Sequence, residues 1–98
     1  MKSSSKLFRA IVRRSPECIY IADRPVRLNC WVCDKDPNGT EVDPIFIDDE
    51  SLENVKTKGN MMPFNTIVPV QLLKGGHLFA RAHGDTETFL NISIEYLG

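Results

Sequence analysis

The sequence is short of several features that define whole classes of protein. No apolar run extends beyond a few residues, far below the roughly 20 that a membrane-crossing helix needs. Near the N-terminus Arg9, Arg13 and Arg14 interrupt Leu-Phe-Arg-Ala-Ile-Val, so no apolar segment of signal-peptide length forms there. The three cysteines are too few and odd in number for a disulfide framework. Lys74-Gly75-Gly76 lacks the Gly-x-x-x-x-Gly-Lys frame of a phosphate-binding loop. Low-complexity tracts and internal repeats are absent. These absences lead to the expectation of a soluble chain made in a reducing cytoplasm, with no membrane partner, no cofactor and no enzymatic activity.

What is present fits one small globular domain over residues 1–98, with 42% hydrophobic and 26% charged residues. Charge is nearly balanced overall, at −1, but unevenly distributed. Residues 1–33 carry seven basic and two acidic side chains; residues 34–53 carry one basic and eight acidic. A nucleic-acid binder would keep its basic surface unopposed, so this segregation argues against that class. It suits either a subunit whose positive edge meets a neighbour's negative edge or two patches that are solvated or neutralised within one chain.

Hydrophobic patterning is dominated by a period of two, the signature of half-buried strands. Leu90, Ile92, Ile94 and Tyr96 fall on one face of a strand over 88–97, and Asn91, Ser93 and Glu95 on the other. Val26, Leu28, Cys30 and Val32 share a face over 26–33, opposite Arg27, Asn29 and Trp31. Further strands are expected near 18–22, 64–72 and 77–83, and Pro69 marks the second of these as an edge or a break. Asp36-Pro37-Asn38-Gly39 has turn chemistry and predicts a hairpin, with residues 41–47 returning beside 26–33. Residues 7–12 fit a helical stripe or a strand equally. A short helical turn is expected near 49–55, capped by Asp49 or Ser51. About seven short antiparallel strands make this an all-β chain, a compact β-sandwich or small barrel, with residues 1–14 as an N-terminal arm.

Few constellations carry chemistry. Cys30-Trp31-Val32-Cys33 has redox and zinc spacing, but a strand sends its two thiols to opposite faces. Cys18, His77 and His83 lack the paired spacing of a second zinc half-site. Asp34, Asp36 and Asn38, followed by Gly39, match the first half of a calcium loop, while Ile45 stands where a bidentate Glu is required. His77 and His83 share a strand face with Phe79 and Arg81, and with Asp85 nearby they invite a general-base reading. No nucleophile accompanies them. Trp31 and Phe79 fall on outward positions suited to stacking on sugar rings or to filling the second face of a sandwich.

Thr66-Ile67-Val68-Pro69-Val70-Gln71, a following short strand, Gly84-Asp85-Thr86-Glu87-Thr88 and the closing Asn91-Ile92-Ser93-Ile94-Glu95-Tyr96 form a recognisable series. It resembles the C-terminal signature of small β-rich structural proteins of tailed phages and gene transfer agents, among them head-spike base and capsid-decoration proteins. The likeness covers the last third of the chain. It implies a compact β-fold that oligomerises symmetrically and binds an assembled shell, without an active site. The expected role is a non-enzymatic virion structural protein, of cement, decoration or head-spike base type, assembled in the host cytoplasm. Its expected partners are copies of itself and the major capsid or another virion protein. The alternative is a carbohydrate- or calcium-binding β-module. Contact is expected through Arg9, Arg13 and Arg14 and through Asp48, Asp49 and Glu50. Deleting residues 1–14 is then expected to abolish shell binding and leave the β-fold intact.

Overall fold

The computed structural model describes residues 5–85 and 87–98. The first four residues of the expected arm and Thr86 of the Gly84–Thr88 turn lie outside them. Among the described residues there are eight strands: β1 (Ser5–Val12), β2 (Glu17–Ile21), β3 (Val26–Trp31), β4 (Ile45–Asp48), β5 (Asn60–Met61), β6 (Val68–Leu72), β7 (His77–Ala82) and β8 (Thr88–Tyr96). One helix, α1 (Leu52–Thr57), joins β4 to β5.

Antiparallel pairing is nested: β4 with β5, β3 with β6, β2 with β7 and β1 with β8. The chain is thus one long ribbon folded back at α1. The ribbon then rolls, so that β8 also pairs with β3 and β7 with β4. The result is two four-stranded sheets, ordered β1-β8-β3-β6 and β2-β7-β4-β5. That order is a jelly roll, a β-sandwich whose two sheets keep open edges rather than closing into a barrel. The short principal extent, 17 Å, is that of two stacked sheets.

Alternation supplies the core. Val26, Leu28, Cys30 and Val32 point inward from β3 and the residue after it, and Thr88, Leu90, Ile92 and Ile94 from β8. Ile45 and Ile47 of β4 and Leu78, Ala80 and Ala82 of β7 close the core from the other sheet. Pro69 lies in β6, at the edge of its sheet, where a missing N–H is tolerated.

Three expectations require correction. The hairpin about Asp36–Gly39 shrinks to a turn with a single bridge, Lys35 to Glu41, and β4 belongs to the other sheet. Residues 34–44 are acidic, broken by Pro37 and Pro44, and offer too few apolar positions to hold a place beside β3. The longer alternating strand β8 takes that place instead. The turn itself forms as expected, with Gly39 at φ +82°. Residues 7–12 are not an arm: β1 is paired with β8 along its whole length, and Val12 is buried. Finally, the helix begins after the expected position. The Asp48 carboxylate accepts from the Glu50 and Ser51 N–H groups at 2.8 and 2.9 Å, which holds residues 49–51 in a turn. Ser51, not Asp49, then caps α1 by accepting from the Asn54 N–H at 3.0 Å. Val55 anchors the helix in the interior, and the Arg81 guanidinium donates to the Val55 and Lys58 carbonyls at its C-terminal end.

Candidate binding site

The outer face of the first sheet holds the groups with binding chemistry. Its residues are those that alternate with the core positions of β1, β8 and β3. The register places Leu7 beside Ser93 and Asn29, Arg9 beside Asn91 and Trp31, and Ile11 beside Phe89. At one end of this face Arg27 and Glu95 form an ion pair of 2.9 Å. At the other, the face dips into a trough of about 630 Å³, within the range of ligand sites. Trp31, Asn91 and Phe89 line it from the sheet, Lys35, Asp36 and Asn38 from the turn that follows β3. The Arg9 guanidinium lies 5.4 Å from the centre of the Phe89 ring, at cation–π distance. Asn91 donates to the Trp31 carbonyl at 3.3 Å, which ties β8 to the end of β3 beneath the trough. The turn wall is held by Asp36, whose Oδ1 accepts from the Asn38 and Thr40 N–H groups, both at 2.9 Å.

The basic and acidic groups expected to meet a partner are not brought together. Arg13 pairs with Glu87 and Arg14 with Asp85, each at 2.9 Å, both carboxylates coming from the β7–β8 connection. These two arginines are thus paired within the chain, but with carboxylates some seventy residues away that lie outside the acidic 34–53 segment. Asp48, Asp49 and Glu50 lie at the β4–α1 corner of the second sheet, where Asp48 serves the helix cap. Arg9 alone of the three arginines faces the trough. Of the calcium candidates, Asp36 and Asn38 belong to the turn wall, where Asp36 already organises the backbone, and Asp34 precedes it. Among the described residues no three His, Cys, Asp or Glu side chains cluster closely enough to hold a metal.

His77 opens β7 and His83 follows its last residue. His77 stacks on Phe79 at 5.6 Å, His83 tilts against Phe46 at 6.1 Å, and Asp85 is held by Arg14. Phe79 stands on the outer face of the second sheet, away from Trp31. The aromatic that does accompany Trp31 is Phe89, which sequence reasoning passed over. The signal was there, since Phe89 alternates with Leu90 and Ile92 and so falls among the outward polar residues of β8.

Cys30 lies in the core and Cys33, two residues beyond the end of β3, at the surface. Cys30 is fully buried and burial pushes its thiol up to about 12, while Cys33 and Cys18 are exposed. A raised thiol pKa means that folding holds a proton which the unfolded chain releases near 9.0. The stability tied to Cys30 is whole below that pH and is lost as pH climbs towards 12. At neutral pH the native protein is expected to expose two thiols to an aromatic disulfide reagent and a third only in denaturant. Rapid modification of all three in the native state would disprove the placement of Cys30.

Fold and face together define a jelly-roll β-sandwich with a trough of aromatic and mixed-charge lining on its first sheet. No protein-family model matches the chain, and neither a curated protein nor a solved structure matches it.

Proposed function

We propose that the chain is a non-enzymatic virion structural protein, a capsid cement, decoration or head-spike base subunit that self-associates and docks on a protein shell. The observation that carries this reading is the edge of β1, which no other described strand covers. Three of the four sheet edges are blunted: β6 contains Pro69, β2 is irregular between Cys18 and Tyr20, and β5 is two residues long. β1 offers eight residues without proline or bulge, with Leu7 and Ile11 69% and 42% exposed beside it. Such an edge is a template for strand addition by a second copy. An antiparallel register centred on Phe8 sets Leu7 of each copy against Arg9 of the other. A register centred on Arg9 would oppose like charges and is disfavoured. The jelly roll adds a fold-level analogy, being an architecture of viral capsid as well as lectin domains.

This proposal moves the expected contact from the arginine cluster to the strand edge. Light scattering is expected to show a concentration-dependent dimer or higher oligomer, and co-sedimentation to show binding to assembled capsid protein. The double variant Leu7→Glu/Ile11→Glu changes only exposed side chains, so it should melt normally yet remain monomeric. A wild-type chain that is monomeric at all concentrations and ignores the shell would overturn the proposal.

A further inference from the structure

We infer that the trough on the first sheet is a binding site for an acidic polysaccharide strand. The inference stands apart from the self-association reading, because strand addition at β1 uses a backbone edge whereas the trough lies across the outer face of the sheet.

Charge is the first argument. Among the described residues Arg13, Arg14, Arg24 and Arg27 each have a carboxylate partner, and Arg81 is engaged by helix carbonyls and by the Phe46 ring. Arg9 has only the face of Phe89, and Lys35 has no carboxylate within ion-pair distance. These two cations both line the trough, with Trp31, Phe89 and Asn91 among the residues that share it.

Shape is the second. The trough is a surface feature continued at both ends by smaller depressions. One shares Arg9 and Asn91 and reaches Leu7; the other shares Trp31 and Cys33 and reaches Ile67. It therefore crosses β1, β8 and β3 towards β6, three interstrand steps or about 14 Å. An open channel of that length does not enclose a small molecule as typical pockets do, but it accommodates a chain that enters and leaves.

The lining chemistry selects among chains. Asp36 and Glu87 stand in the trough beside Arg9, Lys35, Asn38 and Asn91, with Asp36 Oδ1 taken by the turn backbone and Glu87 Oε2 by Arg13, so a ligand can donate to the second oxygen of each as well as accept from cations. A polyhydroxylated strand with spaced carboxylates does both, and its sugar rings lie on the aromatic surface of Trp31 and Phe89. Single-stranded DNA places its charge on phosphates with no hydroxyl donors beside them, whereas a uronic-acid strand carries hydroxyls on every ring, which the two carboxylates of the lining favour.

Trp31 is the sole tryptophan, so its fluorescence reports on the trough directly. Polygalacturonate added in the presence of chelator is expected to change Trp31 emission saturably, with weaker binding as salt rises. Dextran and an oligothymidylate of similar length should leave it unchanged. Arg9→Ala is expected to weaken polygalacturonate binding about tenfold or more, as loss of a charge-assisted contact does, and Lys74→Ala to leave it unaltered. Binding by the wild-type chain at a dilution where light scattering shows only monomer separates this inference from the assembly reading. No response to polygalacturonate, an equal response to oligothymidylate or to dextran, or full affinity in Arg9→Ala would each overturn it.

Discussion

A chain that starts at Ser15 is expected to show no cooperative unfolding transition. The deletion removes all of β1, whose residues pair one for one with β8 from Ser5–Glu95 to Val12–Thr88. It also removes Val12 from the core and Phe8 from its border, where Phe8 stacks on Tyr20 at 6.0 Å. Burying such side chains stabilises by about 1.5–3 kcal/mol each when complete. The Ala82 N–H also loses the Arg13 carbonyl to which it donates at 2.7 Å. Together with the lost β1–β8 pairing, this is a large share of the roughly 5–15 kcal/mol on which a domain of this size stands. Thermal unfolding followed by circular dichroism tests this, and a sigmoidal melt within a few degrees of the full chain would refute the assignment of β1 to the fold.

Ile92→Ala is expected to be the most costly kind of point substitution here, and Ser93→Ala next to it nearly silent. Ile92 is fully buried in the middle of β8, flanked by Phe8 of β1 and Cys30 of β3. Truncating such a side chain costs about 2–5 kcal/mol, transfer and cavity together. At about 4–8 °C per kcal/mol for a domain of this size, the melting temperature should fall by about 10 °C or considerably more. Ser93 points out of the sheet, where changes usually stay within about 0.5 kcal/mol. Urea midpoints for the two variants test the register as well as the burial. A one-residue slip of β8 would exchange their effects, and equal midpoints would contradict the structure.

The in-and-out pattern of β3 and β8 was legible because each strand alternates cleanly over six or more residues. The edge position of β6 was legible from Pro69, and the all-β class from the number of short alternating segments. Strand order was not. The turn at Asp36–Gly39 advertises a local hairpin, yet β3 finds its neighbours in β6 and β8, whose pairing carries no local signal. The same limit applies to the site. Trp31 could be placed outward from its own strand, and Phe89 was available by the same alternation. That Arg13 and Arg14 are neutralised while Arg9 faces a trough depends on Asp85 and Glu87, which no spacing rule links to them.

The nested ribbon also governs the order in which conformational entropy is surrendered. β4 and β5 are separated only by α1 and short turns, so their closure is the least costly. Joining them shortens the loop that β3 and β6 must close, and each later pair inherits the same saving, with β1 and β8 at the end of the series. A fold whose outermost pair spans nearly the whole chain belongs to the slow, high-contact-order regime. The one edge among the described strands without proline, bulge or marked shortness is then also the last segment to find its place, which leaves it free longest during folding, when chains in solution are most prone to mispair.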